Sequence, residues 1–132
     1  MDLAKIYGCY FCHTPFENNQ LAESKPFAGG HVFNLGKDAR AVSANLTLDA
    51  ETGLGKWTED QLMAKFAEYR DYAANGPPKI PLALNTTMPW LELSQTPAED
   101  LKAIFAHLRT LPAIHNAVVL HPDAPEEKER RR

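Results

Sequence analysis

Two thiols three residues apart with an imidazole directly behind them, Cys9-Tyr10-Phe11-Cys12-His13, can do one specific piece of chemistry. Each thiol can form a thioether with a vinyl group of a porphyrin, and the imidazole beside the second thiol can reach the iron from one face. Other uses of a thiol pair fit less of the chain. A redox disulfide of the thioredoxin type asks for a strand ahead of it and a strand–helix alternation around it, and neither is legible. A zinc ion asks for two further ligands at suitable spacing. These are the only 2 cysteines in the chain, so distant histidines would have to supply them. Two thiols with no common task complete the alternatives, and the pentapeptide favours c-type haem attachment over all of them.

The elements that must position this motif read as short helices separated by long, punctuated loops. Residues 2–12 fit a first helix, with Leu3, Ile6 and Tyr7 at helical spacing, stopped by Thr14-Pro15. Residues 14–56 carry Pro26, Gly29-Gly30, Gly36, Gly53 and Gly55 without sustained periodicity and read as loop. A second helix starts at Thr58, whose hydroxyl can cap the turn while Gln61 reaches back in a capping box. Leu62, Phe66 and Tyr69 share its face, and Asn75-Gly76-Pro77-Pro78 breaks it after about residue 74. A third has Thr96 as N-cap, Pro97 in the first helical position and Glu99 as the box partner. Its stripe is Leu101, Ile104, Phe105 and Leu108, and Pro112 ends it. A further helical turn is expected between Met88 and Leu93, and strand signals are negligible. The expected fold class is therefore all-α, one small domain of three to five helices with long loops wrapped around a porphyrin that supplies much of the core.

Composition is consistent with that size and class. The chain has 132 residues, a net charge of -3 and 23% charged residues, which describes a mildly acidic domain with no basic stripe for nucleic acid. No apolar run is long enough to cross a membrane, and no signal peptide precedes the motif. Bacterial haem attachment of this kind takes place outside the cytoplasm. The expectation is thus a periplasmic or outer-face location, with an export signal or anchor lost ahead of the numbering.

The second axial position decides what an attached haem would do, because an axial Met raises its potential, a second His lowers it, and an open position admits small ligands. The candidates are Met63, Met88, His31, His107, His115 and His121. Met63 lies within the second helix beside its apolar stripe, where a thioether packs more often than it ligates. His107 lies off the apolar face of the third helix, and His115 and His121 follow that helix in Pro-containing chain. Met88 stands in Asn85-Thr86-Thr87-Met88-Pro89-Trp90, where Pro89 restricts the backbone and two hydroxyls are at hand. It is the best-placed thioether.

Taken in order, several segments are similar to the monohaem class I type of cytochrome c domain, especially the units found in cytochrome subunits of bacterial membrane-bound dehydrogenases. They are Gly8-Cys9 through Cys12-His13-Thr14-Pro15, Ala28-Gly29-Gly30, Asn45-Leu46-Thr47-Leu48-Asp49 and Glu51-Thr52-Gly53-Leu54-Gly55-Lys56-Trp57-Thr58. Met88-Pro89-Trp90 and Asp100-Leu101-Lys102-Ala103-Ile104 through Leu108-Arg109-Thr110-Leu111-Pro112 follow. The resemblance runs from Leu3 to Pro112, which sets the expected domain at 1–112 and leaves 113–132 as a mobile, charged extension.

The resemblance implies one haem c held by Cys9 and Cys12, with His13 and Met88 as the iron ligands. It also implies that the first and last helices cross, and that a carbonyl near Pro26 accepts the Nδ1 proton of His13. Asn45 and Trp57 are implied as polar contacts near the propionates; equally, Asn45 fits a turn and Trp57 a hydrophobic staple on the second helix. Two departures stand out. Arg70 is followed by Asp71-Tyr72 where the family usually has Gly, and the first helix is short at its start. The function implied is electron transfer in a bacterial respiratory chain rather than catalysis. Its partners would be a dehydrogenase, a terminal oxidase or another cytochrome. The alternatives are a haem enzyme or gas sensor with an open sixth position, and an interaction module with no haem.

Overall fold

A computed structural model describes residues 2–76 and 79–130. Helix α1, Leu3–Ile6, and helix α2, Cys9–His13, occupy the stretch expected to be one helix. They are separate because Gly8 takes φ +81°, a left-handed conformation that a side-chain-free residue adopts without penalty. The Asp2 side chain caps α1 by accepting from the Lys5 N–H.

The all-α expectation is overturned by two antiparallel hairpins in the stretch that reads as loop. Strand β1, Phe16–Glu17, pairs with β2, Gln20–Leu21, and β3, Val32–Gly36, pairs with β4, Ala39–Val42. Turn chemistry explains both. Asn18 and Asn19 take φ 51° and 62°, the double left-handed conformation of a two-residue hairpin turn, and Asp38 takes φ 57° in the second turn. Strand β4 alternates buried Ala39 and Ala41 with exposed Arg40, but alanines give that alternation little contrast in the sequence.

Helix α3, Glu59–Ala67, starts with the expected capping box: the Gln61 N–H donates to Thr58 Oγ1 while the Thr58 N–H donates to Gln61 Oε1. It ends earlier than expected, and Tyr72–Asn75 form a separate turn, α4, closed by Gly76 at φ 74°. Pro77 and Pro78, expected in that break, lie outside the described residues. A 3-10 turn, Leu82–Leu84, leads to the Met88 loop, followed by α5, Trp90–Leu93.

Helix α6, Ala98–Leu108, buries the expected stripe of Leu101, Ile104, Phe105 and Leu108. Its start differs: Pro97 is the N-cap, and the Thr96 hydroxyl is buried without a partner. The reason is local: Pro97 has ψ 140°, outside the helical range, so the helix begins one residue later than a Thr96 cap would start it.

The core joins Ala4 of α1, Phe27, Leu54, and Ile104 and Leu108 of α6, with Leu3, Tyr7, Cys9, Tyr10, Leu46, Leu48 and Leu111 packed around them. The Tyr7 hydroxyl donates to Asp100 Oδ2 at 2.7 Å and ties α1 to α6. Beyond Pro112 the chain returns along the body. Ile114 and Asn116 hydrogen-bond to residues 28–52, the Val42 N–H donates to the Leu120 carbonyl, and Arg40 grips Asp123 with two bonds of 2.9 and 3.0 Å. Helix α7, Pro125–Arg130, follows.

Candidate functional site

Helix α2 places the two thiols and the imidazole. Cys9 and Cys12 are three residues apart on it, so both project from one side, and His13 closes it. Both thiols are free; Cys9 is half-buried and Cys12 exposed. Burial pushes the Cys9 thiol above its ordinary range.

His13 is buried and fixed at two points. Its ring Nδ1 lies 2.8 Å from the Ala44 carbonyl oxygen, and its own carbonyl accepts from the Gly29 N–H at 2.6 Å. A carbonyl can only accept, so Nδ1 carries the proton and Nε2 presents its lone pair. Burial holds the imidazole below its usual range, an effect the Ala44 carbonyl opposes and the nearby His31 reinforces. A neutral ring with Nε2 free is the state an iron ligand requires, and the carbonyl behind it strengthens its donation. The acceptor is Ala44, not a carbonyl near Pro26; Pro26 instead leads into Phe27, whose N–H donates to the buried Thr14 hydroxyl at 3.2 Å. A backbone carbonyl carries no sequence signal, so Ala44 could not have been read in advance.

Asn45 is buried and committed to the protein on both sides of its amide. Nδ2 donates to the Ile114 carbonyl at 2.8 Å and to Thr52 Oγ1 at 3.1 Å, while Oδ1 accepts from the Thr47 N–H and hydroxyl at 2.9 and 2.7 Å. That network matches the turn reading of Asn45. Trp57 is 37% exposed, and its N–H closes a turn onto the Leu54 carbonyl just ahead of α3.

Met88 is half-buried, and its N–H donates to Thr86 Oγ1 at 3.0 Å. The loop is held after Met88 by Trp90, which stacks on Tyr69 at 4.3 Å and meets Phe66 edge-on at 5.2 Å. Ahead of it, the 3-10 turn packs on the β3–β4 hairpin. The structure thus gathers Cys9, Cys12, His13 and Ala44 into one site, whereas Met88 and Trp57 stand on separate elements. Of the other axial candidates, Met63 is half-buried on α3 and His107 is exposed on α6. His31 is stacked between Phe16 and Phe33, with centroids 5.5 and 4.5 Å away. His115 is exposed and lies 3.4 Å from Asp49, and His121 Nδ1 is buried without a partner.

The donor set fits haem c: two unlinked thiols on one helical turn, and a neutral buried imidazole with its proton fixed away from the ligating nitrogen. It is the donor set that a cytochrome c-like domain would use. One curated protein is similar to the chain, the "Alcohol dehydrogenase (quinone), cytochrome c subunit" of Gluconobacter oxydans (strain 621H), at 26% identity over 109 residues. The match covers 80% of this chain, which spans 22% of the length of that relative. No family model matches, and no solved structure matches. The likeness supports a cytochrome c-like domain and an electron-transfer role in general. No helix among the described residues is long and apolar enough to cross a membrane.

Proposed function

We propose that this chain is a monohaem electron carrier, with haem c attached through Cys9 and Cys12, His13 as one iron ligand and Met88 as the other. The observation that carries the proposal is the 2.8 Å contact of His13 Nδ1 with the Ala44 carbonyl directly behind the Cys-x-x-Cys pair. Haem bound there supplies one-electron chemistry, cycling between ferric and ferrous iron. The chain's own residues hold and shield. Cys9 and Cys12 fix the ring against α2, and the Ala44 carbonyl holds the His13 ring in one tautomer and orientation. Phe27 and Tyr10, whose rings meet at 5.4 Å, belong to the apolar cluster against which Cys9 packs. Met88 is chosen because it is the thioether held in a loop anchored on both sides, and a thioether favours the ferrous state.

The partners that fit this role are a dehydrogenase upstream and an oxidase or another cytochrome downstream, met in the periplasm or at the outer face of the cytoplasmic membrane. The similar Gluconobacter protein, itself named as a subunit of a dehydrogenase, is consistent with that setting.

The test is to mature the chain in a bacterial host that attaches haem c, extract it with acidified acetone, and record ferrous spectra with and without carbon monoxide. Colour that stays with the polypeptide and a spectrum unmoved by carbon monoxide are the expected result. Colour that partitions into the solvent rejects covalent attachment. A carbon monoxide complex formed by the native protein rejects Met88 ligation in favour of an open position.

A further inference from the structure

His13 is held by two chain segments, and a third segment, far away in sequence, holds both of those. The Ala44 carbonyl faces the ring, and the Gly29 N–H reaches the backbone carbonyl. These holders are bonded to each other: the Gly30 N–H donates to the Ser43 carbonyl and the Leu46 N–H to the Phe27 carbonyl, both at 2.8 Å. They are also in close contact, because a Cβ on Gly29 would lie 2.5 Å from the Ala44 carbonyl carbon. Residues 114–116 bind to both. Asn116 Nδ2 donates to the Ala28 carbonyl at 2.9 Å, next to Gly29, and the Ile114 carbonyl accepts from Asn45 Nδ2 at 2.8 Å, next to Ala44. Two further bonds lock the register: the Ile114 N–H to Thr47 Oγ1 at 3.0 Å and the Asn116 N–H to Thr52 Oγ1 at 2.9 Å. Thr47 is fully buried and Asn45 nearly so, while Thr52 and Asn116 are half-buried, so water competes least at the Thr47–Asn45 end of the network.

We propose that residues 114–116 form a positioning strap for the proximal ligand, clamping the segments around Ala28 and Asn45 so that the Ala44 carbonyl stays on His13 Nδ1. The inference rests on the reading of His13 as an iron ligand. Asn116 is its central positioning residue, since among the described residues it alone sends a side-chain donor to the 28–29 segment while its N–H anchors on Thr52. A carbonyl held on Nδ1 increases electron donation through Nε2 and favours the ferric state. Loosening the strap raises the midpoint potential and exposes the Nδ1 proton to exchange. The same stretch of chain is also tethered further along by the Arg40–Asp123 pair, which touches neither holder. That pair provides the control.

The experiment uses the haem-loaded full chain as wild type, Asn116→Ala, Asn116→Leu and Arg40→Ala. Two quantities are read: the midpoint potential, and the solvent exchange of the His13 Nδ1 proton, by NMR of the diamagnetic ferrous form. Loss of one hydrogen bond of ordinary worth should speed that exchange about five- to tenfold in both Asn116 variants. Their potential should rise, and Arg40→Ala should match wild type in both readings. Thioether attachment keeps the haem on each variant, and Asn116→Leu keeps the branched four-atom side-chain skeleton without the donor whereas Asn116→Ala also removes the packing, so packing loss and donor loss are separable. Unchanged exchange and potential in the Asn116 variants overturn the strap. Equal shifts in Arg40→Ala also overturn it, because the effect would then be general loosening. Failure of wild type to retain haem would instead overturn the ligand assignment on which the inference stands.

Discussion

Gly29→Ala tests the packing behind His13 more directly than a change in the motif itself, and Gly8→Ala provides its reference. Both glycines have left-handed backbones, φ +74° and +81°, so an added Cβ costs each about 1–2 kcal/mol. Their surroundings differ. Nothing lies within 4 Å of a Cβ on Gly8, whereas a Cβ on Gly29 meets the Ala44 carbonyl carbon at 2.5 Å and its oxygen and the Asn45 nitrogen at 2.6 Å. Those are backbone atoms and cannot turn aside as a flexible side chain would. Overpacking of this kind adds about 1–3 kcal/mol, for a total of about 2–5 kcal/mol at Gly29. With a urea dependence of about 1.5 kcal/mol per M, the Gly29→Ala midpoint falls by about 1–3 M and the Gly8→Ala midpoint by about 1 M. Urea titrations followed by far-ultraviolet circular dichroism measure both without relying on haem absorbance. Equal midpoints for the two variants would refute the close contact of Gly29 with Ala44, and with it the account of how the His13 acceptor is placed.

Met88→Ala should open an axial position, so that ferrous protein binds carbon monoxide and the midpoint potential falls; a spectrum identical to wild type would move the role to another thioether, with Met63 next in line. Phe105 is 1% exposed, and Phe105→Ala should cost about 3–5 kcal/mol in chemical denaturation, whereas an unchanged midpoint would place the ring outside the core. Hydrogen bonds from the Thr52 hydroxyl to Asp49 and from the Arg40 guanidinium to Asp123 hold both carboxyls below their usual range. Their contribution is therefore present above the ordinary carboxylate range, near about pH 4, and is lost as pH falls through the lowered native values. The wild-type denaturation midpoint should drop on acidification, and Asp123→Asn should reduce that drop; an equal slope in the variant would show that the Arg40–Asp123 pair contributes nothing to it.

What could be read in the sequence was whatever rests on a local pattern. The capping box at Thr58 and Gln61 needs only four consecutive residues, and the buried stripe of α6 needs only a helical period, so both were legible. The hairpins were missed because Asn18-Asn19 joins strands of two residues each, too short for alternation to register, and because alanines line the buried side of β4. Gly8 sits directly ahead of the thiol pair, and only its φ of +81° marks it as a helix break. At the site, the candidate thiols and His13 follow from their spacing, but the acceptor behind His13 is a main-chain carbonyl, and Asn116, which supports its surroundings, binds partners 64 and 88 positions away. No pattern within a window of sequence encodes such a partnership. Thr96 shows the converse: its residue type suits an N-cap, but Pro97 keeps an extended ψ of 140° and takes the cap position itself.

The strap also has a consequence for the order of events during maturation. Helix α2 closes over a few residues, whereas the Asn116 bonds to Thr52 and Ala28 close loops of 64 and 88 residues, and long loops pay their closure entropy before any contact rewards them. Helical turns form early and the strap late. On the proposed haem attachment, the Cys9 and Cys12 thiols would in that interval stand on a chain whose 28–29 and 44–45 segments are still unclamped, with room for an attachment apparatus to work. Pulse-labelled hydrogen exchange during refolding should show the Ile114 and Asn116 amides gaining protection after those of α6; simultaneous protection would mean that the strap forms with the core and leaves no such interval.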